Sequence, residues 1–324
     1  MNIENTYCIE EKQQIAQQIK PITLERATED FEQLRKIGFN AGNTSSRSRI
    51  GNDCVDYFTF AERLNTKGKY NANFYDFLQN IEEFKKKKFI QNMLIYYENV
   101  KNKNQTKNQY VVYKEVYNIC ISAINLFRPL VAMEIYARFR PKCVLDFTCG
   151  WGGRLIGACA LNVPKYIGID INKNLESDYQ KMTHFLKDKT TTDISLYFED
   201  AVTFDYSSLE EYDMVFTSPP YFFLEKYSKN KNYESKASMK TNFYEPLFKK
   251  TYESLKKGGV YCLNVNHEIY TDICVGLWGE ADEEIPLKKS KRQNEYSESI
   301  YIWFHSTFYN EVKKGGAKTS GGNR

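Results

Sequence analysis

The spacing of apolar residues changes near residue 140 and divides the chain in two. Before that point apolar positions recur at helical intervals on a polar background. Val112, Val116, Ile119, Ala123 and Leu126 predict one helix running on from Tyr110. Phe127, Arg128 and Pro129 interrupt it, and Pro129 suits the first turn of a further helix over 130–138. Beyond Pro141 short apolar runs alternate with helical stretches. Strands are predicted at 143–145, 166–169, 195–197, 214–216, 260–265 and 300–304, and helices at 154–161, 173–187 and 244–257. The last helix ends on Lys256, Lys257, Gly258 and Gly259, a helix-stop signal. Strands alternating with helices predict an α/β fold, a doubly wound and mostly parallel sheet, preceded by a mainly helical region.

Residues 100–109, rich in Asn, Lys and Gln, read as a linker. They divide the chain into a helical accessory region over 1–109 and an α/β domain over 110–312. The stretch 313–324 is rich in Gly, Lys and Ser and reads as a disordered tail. Hydrophobic residues make up 42% of the chain, enough for a sizeable core, and aromatic residues 15%. Between 53 and 80, Tyr57, Phe58, Phe60, Tyr70, Phe74, Tyr75 and Phe77 alternate with polar groups, and Arg47, Arg49, Arg63, Lys67 and Lys69 lie nearby. That mixture suits either the core of a small helical subdomain or a nucleic-acid surface. The run Lys85 to Lys88 reads as a solvated face.

The net charge is +4, which permits a phosphate-binding face without demanding one. Eight cysteines form no CxxC pair, and with three histidines no zinc spacing appears, so no metal site is expected. Cysteines inside apolar runs act as small hydrophobes, which points to a reduced, intracellular protein. The first residues lack the basic and apolar regions of a signal peptide, and no apolar run approaches the length of a membrane span.

The chemistry gathers at predicted strand ends, where a doubly wound sheet binds its ligands. Asp146 closes the first strand, and Gly150 and Gly152 follow in a turn where backbone can approach a ligand closely. Asp170 closes the second strand, about 20 residues past the glycines, the placement of a ribose acceptor. Asp200 and Ala201 follow the third. The fourth runs into Thr217, Ser218, Pro219, Pro220 and Tyr221. Two prolines cannot extend a sheet ladder, so the chain makes a stiff step with a hydroxyl before it and an aromatic ring after it. A planar base can stack on Tyr221 while its amino group donates to the Ser218 side chain and the Pro219 carbonyl.

The segments Val144 to Gly153, Tyr166 to Asp170 and Thr217 to Tyr221 resemble the glycine-loop, ribose and Ser-Pro-Pro-Tyr motifs of S-adenosylmethionine-dependent amino-methyltransferases that act on adenine N6 or cytosine N4 of DNA. The chain is also similar to viral and phage methylases in which Asn-x-Phe-Arg-Pro precedes Gly-Trp-Gly-Gly-Arg-Leu. Here those segments are Asn125 to Pro129 and Gly150 to Leu155. The resemblance covers roughly 120–305 and implies a Rossmann-like methyltransferase sheet with S-adenosylmethionine as cofactor. It implies that Asp146, Gly150 and Gly152 face the methionine end of the cofactor, with Phe127 and Arg128 closing over it. Asp170 would hold the ribose, and Asp200 with the Ala201 backbone the adenine. Ser218, Pro219, Pro220 and Tyr221 would hold the target base.

An aromatic amine is a poor nucleophile because its lone pair is delocalised. Acceptors at Ser218 and Pro219 would orient its N–H bonds and restore the lone pair, so positioning and electrostatics carry catalysis. No strong base is then needed, and the absence of a Pro-Cys dipeptide argues against carbon-5 methylation of cytosine. In duplex DNA the base must flip out of the stack. DNA is the expected partner, with either cytosine or adenine as target. RNA bases, or a scaffold without catalysis, are the alternatives. Residues 222–243 and 267–299, with Lys288, Lys289, Lys291 and Arg292, are expected to read the nucleic acid. His267 is expected to be structural.

Overall fold

The computed structural model describes residues 5–45, 48–222, 233–287 and 298–305. The expected tail over 313–324 and the basic cluster at 288–292 lie outside the described residues, as does most of the lysine-rich loop after Tyr221. The first part is helical: α1 (Ile9–Ile19), α2 (Leu24–Ile37), α3 (Asn52–Arg63), α4 (Phe74–Gln79), α5 (Ile81–Lys85), α6 (Lys88–Tyr96) and α7 (Gln109–Cys120). Side-chain caps start several of these helices. Thr23 accepts from the Arg26 N–H, Asn73 and Asp76 form a capping box, and Asn108 accepts from the Val111 N–H.

The second part runs α8 (Pro129–Phe139), β1 (Cys143–Asp146), α9 (Gly153–Ala160), β2 (Lys165–Ile169), α10 (Glu176–Leu186), β3 (Asp193–Tyr197) and β4 (Tyr212–Thr217). It continues with α11 (Lys236–Met239), α12 (Glu245–Glu253), β5 (Leu255–Asn266), β6 (Glu283–Pro286) and β7 (Glu298–Phe304). The seven strands form one sheet in the order β3-β2-β1-β4-β5-β7-β6. The first five strands are parallel, and β7 runs antiparallel to both β5 and β6. The C-terminal ends of β1 to β5 therefore share one edge, and β7 begins there, with Glu298 opposite Asn266.

Alternation along the strands sorts the two faces. Val144, Tyr166, Met214, Phe216, Cys262, Ile300 and Ile302 belong to one core, and Leu145, Ile167, Val215, Tyr261, Leu263, Tyr301 and Trp303 to the other. The first core also takes in Phe31 and Leu34 of α2 and Cys54, Val55 and Phe58 of α3. A third core is purely helical and joins Ile15, Leu64, Phe74, Tyr75, Phe77 and Leu94 to Val112, Val116 and Tyr117 of α7.

This packing departs from the expected boundary at residue 109. Helix α7 belongs to the N-terminal core, while α2 and α3 pack on the sheet. The break between helical and α/β packing falls within 121–128, a strap without regular structure. The helix expected to run through Ala123 and Leu126 stops at Cys120, and the Ile121 carbonyl instead accepts from the Lys69 N–H at 3.3 Å. The aromatics at 74, 75 and 77 fill the helical core rather than a stacking surface, although Tyr57 and Tyr70 are exposed.

The stretch Lys256 to Gly259 is also not a helix end. Helix α12 stops at Glu253, and the chain enters β5 two residues later. Gly258 adopts φ +79°, its N–H donates to the His305 carbonyl, and the His305 N–H donates to Gly259. A left-handed glycine thus serves a bulge in β5, where its register against β4 shifts. Seven of the cysteines are buried and Cys8 is exposed, all unpaired. Among the described residues no helix is long and apolar enough to cross a membrane, and no group of side chains could hold a metal ion.

Candidate active site

At the C-terminal edge of the sheet, Asp146 is fully buried and both its oxygens are engaged. Arg154 donates Nε to Oδ2 at 2.7 Å and Nη2 to Oδ1 at 3.0 Å. Tyr166 donates to Oδ2 at 2.5 Å, and Thr217 to Oδ1 at 2.7 Å. Arg154, itself 3% exposed, also donates to the Thr148 carbonyl at 2.6 Å. Burial disfavours the Arg154 charge, but Asp146 outweighs it and raises the guanidinium pKa. Asp146 is thus committed to a buried ion pair that braces the turn from inside, instead of lying open to a ligand. Thr217, just before the Ser-Pro-Pro-Tyr step, also accepts from the Thr148 N–H at 3.2 Å. The glycine turn and the end of β4 are therefore tied together through one threonine.

The glycines in the turn have different tasks. Gly150 has φ +58°, and a Cβ there would meet nothing nearer than the Thr148 carbonyl at 3.8 Å, so it faces open space. Gly152, at φ +92°, needs glycine for its backbone conformation and also lies against Met182, whose Cε is 2.8 Å from an added Cβ. Gly153 opens α9 and admits the strap: an added Cβ would fall 1.9 Å from the Phe127 carbonyl oxygen. The Phe127 ring packs edge-on against Phe216, with centroids 5.5 Å apart, and beneath the Arg154 guanidinium at 5.0 Å. The Phe127–Arg128 segment is thereby seated on the glycine turn. Arg128 is half-buried, and desolvation lowers its pKa, with nearby Arg49 adding to the effect.

Asp170 is partly buried beside the turn. Its Oδ2 accepts the Gly150 N–H at 2.8 Å and its Oδ1 the Asn172 N–H at 2.9 Å. Burial raises its pKa, against these two N–H groups. Asn172 and Asn174 in turn donate to Oε1 of Glu62 at 3.0 and 3.2 Å. Thr59 of the same helix, α3, donates to the Trp151 carbonyl at 3.0 Å. The helical region thus forms a wall of this site, a contact between residues 92 to 112 positions apart that no local pattern signals. Asp200 follows β3 and accepts the Val202 N–H at 3.0 Å, while the buried Ala201 accepts from the Tyr206 hydroxyl. Burial pushes the Cys149 thiol well up, helped by Asp170 and Asp146, which keeps it neutral and non-nucleophilic.

The step after β4 is held by its backbone and by its side chains. Tyr244 donates to the Pro220 carbonyl and accepts the Phe222 N–H at 3.0 Å. Phe222 is held at φ +42°, a strained conformation for a bulky residue. Among the described residues no hydrogen bond engages the Pro219 carbonyl. Ser218 Oγ accepts from Asn264 Nδ2 at 2.9 Å and lies 3.5 Å from the Tyr221 hydroxyl. The Tyr221 hydroxyl donates to Oε1 of Glu298 at 2.6 Å and accepts from Asn264 at 2.9 Å. Neither Asn264 nor Glu298 belongs to a motif, and no local pattern in the sequence marks either one. His267 is exposed and opens a helical stretch over 267–278.

A family model described as RNA cap guanine-N2 methyltransferase matches residues 141–279. No curated protein matches the chain. Similar solved structures include an rRNA methylase from Streptococcus thermophilus, 13% identical over 56% of this chain and 98% of that one, TM-score 0.38. TrmN from Thermus thermophilus is 14% identical over 54% of this chain and 48% of its own, TM-score 0.38. Trm5 from Methanocaldococcus jannaschii, in complex with adenosine, is 16% identical over 56% of this chain and 50% of its own, TM-score 0.38. The sheet order, with its antiparallel β7, and the matched family model make the chain a methyltransferase of Rossmann-like fold whose cofactor is S-adenosylmethionine.

Proposed function

We propose that the chain methylates an exocyclic amino group of a nucleic-acid base and that its substrate is RNA, with a purine as the target. The observation that carries this is the Ser218 to Tyr221 step, rigidly held and tied through Thr217 to the glycine turn. The family model, described by an RNA guanine amino group, supports RNA over the DNA expected from the motif alone.

The residues present fit the cofactor. Gly150, its N–H and carbonyl engaged by Asp170 and Tyr179, leaves space where a side chain would stand, and Asp170 offers a carboxylate beside it for the ribose hydroxyls. Asp200 and Ala201 follow the next strand, where the adenine would lie. Asp146, Arg154 and Gly152 shape the turn from behind, and Phe127 and Arg128 lie across it. When bound, S-adenosylmethionine supplies an electrophilic methyl group. Ser218 Oγ and the Pro219 carbonyl accept the two N–H bonds of the target amine, which frees its lone pair for attack. Tyr221 offers its ring face to the base. The proton leaves once the amine is cationic, so a positioned acceptor suffices and no strong base takes part.

The test is a transfer assay with labelled S-adenosylmethionine on capped RNA, structured RNA and duplex DNA, followed by nucleoside mass spectrometry. N2-methylguanosine or N6-methyladenosine from RNA is expected. N4-methylcytosine or N6-methyladenine from DNA alone would replace RNA by the second reading, which the likeness of Ser218 to Tyr221 to DNA amino-methyltransferases favours. Cofactor binding without transfer to any nucleic acid would overturn both. Tyr221→Ala should lower turnover with cofactor affinity retained, and Asp170→Ala should weaken the cofactor first.

A further inference from the structure

We propose that Glu298 and Asn264 are positioning residues that orient Ser218 and Tyr221 toward the target base, an inference that rests on the function proposed above. Four side chains meet at the sheet edge from three separate places: the step after β4, the end of β5 and the start of β7. Asn264 Nδ2 lies 2.9 Å from Ser218 Oγ, 2.9 Å from the Tyr221 hydroxyl and 2.8 Å from Glu298 Oε1. The Tyr221 hydroxyl lies 2.6 Å from the same Glu298 oxygen and 3.1 Å from the Asn264 carbonyl.

The donors and acceptors fix the direction of each bond. Glu298, as a carboxylate, only accepts, so it takes the Tyr221 proton in a short charge-assisted bond and one Asn264 N–H. The other Asn264 N–H is left for the two hydroxyl oxygens. Ser218 Oγ then has one lone pair committed to Asn264, and its own proton turns toward Tyr221. The remaining lone pair can accept from an amino group. Rotating the Asn264 amide by half a turn would set its oxygen against the Glu298 carboxylate, so the charge on Glu298 selects the orientation.

Asn264 is 2% exposed, and its Oδ1 is buried without a hydrogen-bond partner. Native folds rarely leave such an acceptor unpaired. The fold accepts that loss and keeps the amide nitrogen where it meets Ser218, Tyr221 and Glu298 together. The same arrangement holds the tyrosine by its hydroxyl end, which fixes the direction in which the ring extends.

Glu298→Gln tests this on the full chain, with Glu298→Ala and Asn264→Leu as further variants. The neutral glutamine keeps the shape but no longer dictates the amide. Turnover in Glu298→Gln should fall about tenfold, and in Glu298→Ala further, while the KM values and cofactor affinity stay within about twofold. A merely structural role would instead move the melting temperature and the KM values together. Tyrosine labelled at Cζ gives a readout independent of turnover. The NMR resonance of Tyr221, identified by its loss in Tyr221→Phe, should shift in Glu298→Gln while other tyrosines hold still. Wild-type turnover in Glu298→Gln overturns the proposal, as does an unmoved Tyr221 resonance. If the unaltered chain methylates no nucleic acid, the function proposed above fails. A shifted resonance would then uphold the clamp, and an unmoved one would reject both.

Discussion

Asp146→Asn separates a ligand contact from a structural anchor. The substitution preserves size but replaces one acceptor oxygen by an N–H2 group that faces donors. At the Oδ2 position it would meet Arg154 Nε and Tyr166, and at Oδ1 it would meet Arg154 Nη2 and Thr217. Threonine and tyrosine hydroxyls can turn to accept, but a guanidinium cannot. Arg154 is left charged at 3% exposure, without its counter-ion. Breaking a buried pair on one side destabilises by roughly 3–5 kcal/mol. For a chain of this length that corresponds to a fall in melting temperature of roughly 4–7 °C. The assay is thermal denaturation of Asp146→Asn, Arg154→Met and the double variant, with cofactor titration on each. The double variant should be less destabilised than the sum of the singles, because it removes the stranded charge. A melting temperature unchanged in Asp146→Asn, together with abolished cofactor binding, would refute the anchor and restore Asp146 as a ligand contact.

Burial raises the Asp178 carboxyl to about 6, with Glu62 adding to this and Lys181 opposing it. A raised folded-state value binds the proton more tightly in the folded chain, so the stability it supports is full below about pH 4 and lost as pH rises through 6. Asp178→Asn should therefore raise stability by up to ~3 kcal/mol at pH 7 and by almost nothing at pH 4, measured by melting against pH; a gap independent of pH would count against it. Gly153→Ala must displace the Phe127 backbone and should lose at least ~2 kcal/mol by denaturation, whereas Gly150→Ala carries only the ~1–2 kcal/mol strain of its left-handed φ. Gly150→Ala should instead lose cofactor affinity, and equal stability losses in the two would contradict the assignment of open space to Gly150.

Strand ends were legible because short apolar runs and proline chemistry are local. Residues 214–216 and the two prolines announce β4 and its stop without reference to anything distant. The bulge at Gly258 was misread because a glycine after two lysines looks the same whether it ends a helix or bends a strand. The pairing of Asp146 was illegible for a related reason: an aspartate before a glycine turn looks alike whether open or paired. What distinguishes it is Arg154 in the first turn of α9, together with Thr217, which is 71 residues away. Glu62, Asn264 and Glu298 were out of reach altogether, since each acts only through partners brought up by the fold. Tyr221 and Glu298, for example, are 77 residues apart.

The sharing of α2 and α3 with the sheet bears on the order of synthesis. Helices α1 and α4 to α7 lie before residue 121 and complete their own core once that much chain has emerged. Phe31, Leu34, Cys54, Val55 and Phe58 emerge equally early, but their partners Leu130, Trp151, Leu155 and Tyr179 come about 70 to 150 residues later. Until then an apolar face waits uncovered beside a finished neighbour. During translation the early helical core gives α3 a platform through Phe60 and Ala61, and the nascent chain is most open to chaperones or proteases between the appearance of α3 and that of α10.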